Sequence, residues 1–162
     1  NEIQSQSNSN TSFDEVIEFC KLSPSEAGKK KGFTDCIESS YFPNFILKDI
    51  YGNEIDLSKM RGVVIINYWF ISCPPCSVEK IYLKKLNLKS VKITNYKNLH
   101  HLPNRWKYIS DAKSKNIYNN GFGYPLTIIV NSDGRILKFL LGGIQTDKIY
   151  SELNSFFEKV DR

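Results

Sequence analysis

The sequence predicts an α/β domain in which helices flank a central mixed sheet, with a short N-terminal helix and an N-terminal strand hairpin. Two observations carry this prediction. Residues 63–70 form an almost continuous apolar run, which is typical of a central strand covered on both faces. Periodic segments then alternate along the chain in the order strand, helix, strand, helix, strand, strand, helix. At 162 residues the chain suits one domain with a substantial core.

A helix cap and a turn predict the N-terminal elements. Ser12 and Glu15 have the spacing of a capping box, and apolar residues recur at helical intervals over residues 13–21. Pro24 ends this helix, and a polar loop is expected to continue to Gly32. The strands of the expected hairpin lie on either side of a Tyr-Gly turn, at residues 44–48 and 53–57.

A central helix is expected over residues 76–88, with one face buried against the sheet. Apolar side chains at helical spacing define that face: Val78, Ile81, Tyr82 and Leu86. A Ser-Asp-Gly turn joins the last two expected strands, and Gly-Gly at residues 142–143 ends the second of them. The remaining expected elements are strands at 91–95, 126–130 and 136–141 and helices at 111–119 and 146–160.

Charge and hydropathy argue against two function classes. The net charge is +5, but the lysines are spread over positions expected at the surface, and residues 29–31 lie in the predicted loop. We interpret this pattern as a solvated basic surface and expect no nucleic-acid partner. No window approaches about eighteen uninterrupted apolar residues, so no segment is expected to span a membrane.

A Cys-Pro-Pro-Cys motif at residues 73–76 follows the apolar run, where a buried strand gives way to a helix. A helix N-terminus offers partial positive charge and unpaired N–H groups, which favour a thiolate over a thiol. We therefore expect Cys73 to attack disulfides and Cys76 to resolve the mixed disulfide. Half of a zinc site is the alternative, but no second such pair and no His-x-x-x-His follows, so no metal is expected.

The two prolines between the cysteines have no N–H group, and this limits the donors that can stabilise a thiolate. We therefore expect a more reducing pair than polar intervening residues would give. The alternative is that Pro74 and Pro75 only begin a helix, at positions where proline is tolerated.

Two motifs stand in a fixed order along the chain. The first begins at Tyr41, includes Asn-Tyr-Trp-Phe at residues 67–70 and ends with the Cys-Pro-Pro-Cys motif. The second, residues 123–136, contains Tyr-Pro and the hairpin that follows it. Together they resemble TlpA-like (ResA-like) thiol-disulfide oxidoreductases of the thioredoxin superfamily, over about residues 41–160. The resemblance implies a thioredoxin-like fold and an enzyme without a bound cofactor.

The resemblance also implies roles for individual residues. Tyr124 and Pro125 would be joined by a cis bond beside the dithiol and bind an extended substrate; an ordinary trans proline is the alternative. Glu79 matches an acidic position that exchanges protons with the resolving cysteine or raises thiol pKa values, and an exposed helix glutamate is its alternative. Trp69 matches a family tryptophan, either near the substrate or packed in the core.

The chain departs from the superfamily next to the dithiol. Ser72 stands where tryptophan is usual, and Asn67 stands where thioredoxins carry a buried aspartate, which suggests that proton handling differs from theirs. The stretch between Cys76 and Pro125 is also short for the helix and strand that TlpA-like proteins usually insert there.

Two further cysteines and a polar N-terminus bear on localisation. Cys20 and Cys36 can form a disulfide in an oxidising compartment, and two separate thiols are the alternative. Residues 1–12 have the composition of a flexible tether, and the chain begins at Asn1 as a processed product would. Together with the family, whose members usually work outside the cytoplasm, this predicts an exported protein, either periplasmic or a membrane-anchored lipoprotein that faces the periplasm.

These expectations give a domain plan of a tether, an N-terminal extension and a thioredoxin-like domain, at residues 1–12, 13–40 and 41–162. We expect a monomer that reduces protein disulfides and is recharged by an unidentified electron-donor reductase. The alternatives are a thiol peroxidase on the same fold and a non-catalytic binding module. The peroxidase needs a threonine shortly before Cys73 and a nearby arginine, which the segment lacks, and a binding module needs neither cysteine.

Overall fold

The computed structural model describes residues 12–22, 30–48, 52–60, 62–70, 72–86, 92–95, 106–109, 123–131 and 133–160. In these ranges the helices are α1 (Phe13–Leu22), α2 (Lys30–Glu38), α3 (Pro74–Lys85) and α4 (Asp147–Val160), and a 3-10 turn lies at Leu57–Lys59. The strands are β1 (Ile46–Lys48), β2 (Glu54–Asp56), β3 (Val64–Tyr68), β4 (Lys92–Asn95), β5 (Trp106–Ile109), β6 (Leu126–Val130) and β7 (Ile136–Leu141). The expected tether, apart from Ser12, and the expected helix at 111–119 lie outside the described residues.

The described strands form a mixed sheet and a separate hairpin. The sheet has the order β5-β4-β3-β6-β7, with β4 parallel to both β3 and β5, and with β6 antiparallel to both β3 and β7. The hairpin consists of β1 and β2 in antiparallel pairing. The α/β class and the mixed sheet are therefore confirmed, whereas β5 lies in a stretch for which the sequence predicts no strand.

The central strand β3 explains why its sequence is continuously apolar. Successive side chains of a strand point to opposite faces, and both faces of this sheet are covered. Val64, Ile66 and Tyr68 pack in the core that contains residues of α1 and α2. Ile65 packs in the second core, which contains residues of α3 and α4. Odd-numbered positions of β3 therefore face α3.

The N-terminal helices belong to the first of these cores. Phe13 and Ile17 of α1 and Ile37 of α2 are fully buried there. After α2 the chain follows the outer edge of β7, where Ile136 N donates to Ser40 O at 2.9 Å. The carboxylate of Glu38 likewise accepts from Phe139 N at 3.1 Å. The N-terminal segment thus covers one face of the sheet and occupies backbone groups of its edge strand.

The structure corrects the expected polar loop, because α2 begins at Lys30 inside it. Gly32, which the sequence predicts as the end of a loop, is a helical residue despite its low helix propensity. The signal for this helix was the spacing of Phe33, Cys36 and Ile37, three and four residues apart, on one face. A lysine pair and a glycine at its start obscured that pattern.

The structure corrects the expected buried face of α3 in part, since Leu86 is buried and Tyr82 packs against the core as expected. Val78 and Ile81 were expected in the core, but they are 39% and 58% exposed. The buried side chains of this helix are Cys76, Glu79 and Leu83. Glu79 occupies one of the positions that face the sheet. Because its side chain is charged, the pattern of apolar residues alone does not identify the buried face.

Candidate active site

The helix α3 begins inside the Cys-Pro-Pro-Cys motif. Pro74 occupies its first position, where a missing N–H is tolerated and the fixed φ of proline suits a helix. Cys73 precedes it as the N-cap, with an extended backbone (φ −109°, ψ 103°), and its Sγ accepts from Cys76 N at 3.2 Å. The motif therefore places the Cys73 sulfur at the positive end of the helix.

Cys73 and Cys76 form a disulfide, and their Cα atoms are 5.2 Å apart. Both residues are buried, with 3% and 6% exposure. The structure therefore represents the oxidised state of the pair. In the reduced state, the helix N-terminus and the Cys76 N–H favour ionisation of Cys73. A dithiol of this kind can exchange an electron pair with another disulfide.

The Tyr124–Pro125 peptide bond is cis, as the resemblance implies. The last residue of β3 pairs with the first residue of β6. Pro125, which directly precedes β6, therefore lies at the same end of the sheet as the connection from β3 to Cys73. Phe70, in the connection between β3 and Cys73, contacts Tyr124 edge to face with ring centroids 5.3 Å apart. The dithiol segment and the Tyr-Pro segment are therefore neighbours.

Phe70 is a site residue that the sequence analysis did not single out. Phe70 is 39% exposed and Tyr124 is 45% exposed, although aromatic rings usually bury most of their surface. Its position at the end of the apolar run made it look like a strand residue of the core. The available signal was its distance of three residues from Cys73.

Glu79 lies on the buried face of α3 and is 1% exposed, so the alternative of an exposed glutamate is wrong. Its carboxylate accepts from Thr127 Oγ1 at 2.8 and 2.9 Å, from Ile144 N at 2.6 Å and from Asn67 Nδ2. Asn67 and Thr127 are paired across β3 and β6, and Asn67 Nδ2 also donates to Thr127 Oγ1 at 2.8 Å. Because Asn67 is an odd-numbered position of β3, this polar pair faces α3.

Burial raises the pKa of Glu79, because removal from water penalises the charged form. The hydrogen bonds from Thr127, Ile144 N and Asn67 oppose this effect without cancelling it. Glu79 and Cys76 are three residues apart on the buried face of one helix, so their side chains are neighbours. The site therefore contains a group that can hold or release a proton beside Cys76.

The loop between β7 and α4, residues 142–146, contacts several parts of the site. Its hydrogen bonds run from Gly142 N to Pro125 O at 3.0 Å, from Ile144 N to Glu79 Oε2 at 2.6 Å and from Gln145 Nε2 to Pro75 O at 2.8 Å. In the sequence, the glycines of this loop predict only the end of a strand. Nothing local to Gln145 indicates a contact with a distant helix, so this residue is found only in the structure.

Gly143 allows the loop to pass close to the buried carboxylate. Its φ is +65°, in the left-handed region that side chains disfavour. A Cβ atom at this position would overlap the carboxylate of Glu79. Glycine is therefore required here both by the backbone conformation and by the close approach.

The remaining residues singled out from the sequence lie at the edges of this site or apart from it. Trp69 is half-buried and packs against the core shared with α3 and α4, and its part in substrate binding stays a prediction. Cys20 and Cys36 form a disulfide with Cα atoms 5.6 Å apart, between α1 and α2 on the opposite face of the sheet from α3. Within the described ranges, no three side chains of His, Cys, Asp or Glu cluster as metal ligands.

No protein-family model matches the chain. It is similar to the thiol-disulfide oxidoreductase ResA of Bacillus thuringiensis (strain Al Hakam), with 24% identity over 136 residues that cover 73% of this chain and 75% of that protein. ResA of Halalkalibacterium halodurans is 28% identical over 127 residues, which cover 67% of this chain and 70% of that protein.

Solved structures share the fold. A putative thioredoxin from Neisseria meningitidis has a TM-score of 0.56 and 22% identity, over 75% of this chain and 93% of that one. The exposed lipoprotein thioredoxin of Streptococcus pneumoniae has a TM-score of 0.52 and 20% identity, over 69% of this chain and 98% of that one. The thioredoxin-like fold expected from the sequence is confirmed.

Proposed function

We propose that this chain, a ResA/TlpA-like thiol-disulfide oxidoreductase of the thioredoxin superfamily, reduces disulfides of other proteins outside the cytoplasm. The observation that carries the proposal is the Cys73–Cys76 disulfide at the start of α3, where Cys76 N donates to Cys73 Sγ. A nucleophile and a resolving thiol are thus held on one rigid turn.

The reaction proceeds by two exchanges. The Cys73 thiolate attacks one sulfur of the substrate disulfide, so a mixed disulfide forms and the other substrate sulfur leaves as a thiolate. The Cys76 thiolate then attacks the Cys73 sulfur, which releases the second substrate sulfur. The substrate gains two electrons and becomes a dithiol, and the enzyme ends in the disulfide form that the structure contains.

Glu79 is proposed to take the proton of the Cys76 thiol before the second exchange. Its carboxylate lies on the same buried face as Cys76, and its pKa is raised by burial, so it is a better proton acceptor than an exposed glutamate. Asn67 and Thr127 hold the carboxylate in place through their hydrogen bonds. This role distinguishes the site from that of thioredoxins, which carry an aspartate at the position of Asn67.

The substrate is proposed to bind in an extended conformation beside Tyr124 and Pro125. Two observations support this proposal. The Tyr-Pro segment and Phe70 lie at the end of the sheet next to the dithiol, and the rings of Phe70 and Tyr124 are exposed there. Exposed aromatic rings in contact with each other offer apolar surface to residues that flank the target disulfide. We therefore expect polypeptides to be better substrates than small disulfides.

Export is proposed on two grounds. A second disulfide, Cys20–Cys36, is typical of proteins from oxidising compartments, and one structural relative is named as an exposed lipoprotein. No helix in the part of the chain that the structure describes is long and apolar enough to cross a membrane. We retain the proposal of a tether at residues 1–12, an extension at 13–40 and a domain at 41–162, and of periplasmic or membrane-anchored localisation.

The reducing direction requires a donor of electrons to the Cys73–Cys76 disulfide. We propose a partner reductase with its own dithiol, which attacks Cys73 and returns the pair to the reduced state. The missing N–H groups of Pro74 and Pro75 support a reducing pair. We propose that the protein is a monomer. Its equilibration in a buffer of reduced and oxidised glutathione should therefore leave the pair mostly oxidised, and a mostly reduced pair would contradict the proposed direction.

Reduction of insulin disulfides tests the activity itself. The Cys73→Ser variant should lose turnover, because the attacking sulfur is absent, and Cys76→Ser should accumulate mixed disulfides that non-reducing gels detect. Glu152→Gln, an exposed change on α4, is the control and should leave turnover unaltered. Undiminished turnover in Cys73→Ser would contradict the proposed function.

A further inference from the structure

We propose that Gln145 is a positioning residue for the dithiol, and that its side chain stabilises the Cys73 thiolate through the peptide group between Pro75 and Cys76. This inference rests on the proposed function, because it concerns the nucleophile of that reaction. Gln145 belongs neither to the dithiol motif nor to the Tyr-Pro segment, and it does not form a hydrogen bond with Glu79.

The geometry consists of two hydrogen bonds to one peptide group. Gln145 Nε2 donates to Pro75 O at 2.8 Å. The same peptide group carries the N–H of Cys76, which donates to Cys73 Sγ at 3.2 Å. A carbonyl that accepts a hydrogen bond shifts charge within its peptide group, and the N–H of that group becomes a stronger donor. Gln145 therefore strengthens the hydrogen bond that reaches the Cys73 sulfur.

The prolines make this peptide group the decisive one. Neither Pro74 nor Pro75 has an N–H, so Cys76 supplies the first backbone donor after Cys73. In a motif with ordinary intervening residues, additional N–H groups would be available to the thiolate. Here the strength of a single donor matters more, because a hydrogen bond to the charged form of a group lowers its pKa.

The backbone of Gln145 is held at the site by its neighbours. Gly142 N donates to Pro125 O, and Ile144 N donates to the buried Glu79 carboxylate. The side chain of Gln145 is itself half-buried. The backbone that carries this donor is therefore held on both Pro125 and α3, while the hydrogen bond from Gln145 to Pro75 itself is exposed to solvent.

The Gln145→Met variant retains the other ionisable groups near the dithiol, so it removes a hydrogen-bond donor without adding or removing a charge. These groups are Glu79 on α3, Tyr124 before Pro125, and Asp147 at the start of α4, which accepts from Tyr82. A change in Cys73 ionisation on replacement of Gln145 is thus attributable to the lost donor.

The test is the pKa of Cys73 in the reduced protein. It is measured from the pH dependence of iodoacetamide alkylation, with mass mapping of the Cys73 peptide. Gln145→Met has similar size but no donor, and it should raise this pKa by about 0.3–0.5 units, which slows alkylation about two- to threefold below the pKa. Gln145→Glu should raise it further, because a carboxylate cannot donate and adds negative charge. Ser151→Ala, an exposed and uncharged change on α4, is the control and should leave it unaltered.

A purely structural role for Gln145 would lower the free energy of unfolding without a change in the Cys73 pKa. That outcome, or an unaltered pKa in Gln145→Met at normal stability, overturns the inference while insulin reduction by the wild-type protein still supports the proposed function. If the wild-type protein does not reduce insulin, the proposed function is overturned, whatever the pKa measurements give.

Discussion

Glu79 receives hydrogen bonds from β3, from β6 and from the loop after β7, so its carboxylate joins three separate parts of the chain. Each of these contacts donates to the carboxylate and therefore favours the charged form, whereas burial favours the neutral form. Burial is the larger effect, and the pKa of Glu79 is raised. The protonation of this residue is consequently coupled to the folded state.

This coupling predicts a pH dependence of stability. A carboxyl group whose pKa is higher in the folded protein than the unfolded value of about 4.3 stabilises the fold below that value. Its contribution is lost as pH rises through the folded pKa. Urea unfolding between pH 4 and pH 8 should therefore show a stability difference between wild type and Glu79→Gln that declines with increasing pH. Glu152→Gln should run parallel to wild type, and parallel curves for Glu79→Gln as well would contradict the prediction.

At the scale of elements, the loop between β7 and α4 binds the Pro125 carbonyl, the Glu79 carboxylate and the Pro75 carbonyl. A change in its path therefore reaches the Tyr-Pro segment, the buried Glu79 carboxylate and the dithiol together. Its two glycines both have positive φ, but they differ in their surroundings. A Cβ atom at Gly142 would meet nothing within 4 Å, whereas one at Gly143 would overlap Glu79.

The glycine pair therefore provides a matched experiment. Gly142→Ala should lower the free energy of unfolding by about 1–2 kcal/mol, through the left-handed backbone alone. Gly143→Ala should lower it by about 1–3 kcal/mol more, because the added methyl group displaces a buried carboxylate, and it should also reduce insulin turnover. Urea unfolding at constant pH measures both changes, and equal effects of the two substitutions would show that the overlap is relieved without loss.

At the scale of the whole molecule, the sheet lies between two layers of helices that differ in the residues they contain. The layer of α3 and α4 contains the dithiol and Glu79, whereas the layer of α1 and α2 contains the Cys20–Cys36 bond and a largely apolar core. The second disulfide joins residues 16 positions apart. We expect this bond to stabilise the N-terminal helices and to take no part in exchange with substrate, because it lies on the face of the sheet opposite α3.

Replacement of both outer cysteines tests that separation. The Cys20→Ala/Cys36→Ala protein should lose about 3 kcal/mol of unfolding free energy, because its unfolded chain is no longer cross-linked. Insulin turnover at a temperature where the protein stays folded should be retained, since α3 and its contacts are untouched. Mass mapping of wild-type protein from an oxidising compartment should recover the linked Cys20–Cys36 peptide, and two freely alkylated thiols there would contradict the assignment.

Features encoded within a few consecutive residues were predictable. The central strand, the start of α3 at the cysteines and the strands around the Ser-Asp-Gly turn all follow from local pattern. The helix α2 was obscured by a weak start, and the buried face of α3 was misplaced because Glu79 occupies it. The contacts of Gln145 and Gly143 join residues more than sixty positions apart, and no local property of the sequence encodes them.

The Cys20–Cys36 bond has a practical consequence for electron counting. Fully reduced protein has four thiols, twice the number that take part in the proposed reaction. A titration that counts total thiols would therefore overstate the catalytic capacity of a sample twofold. The redox state of each of the two disulfides therefore has to be measured separately.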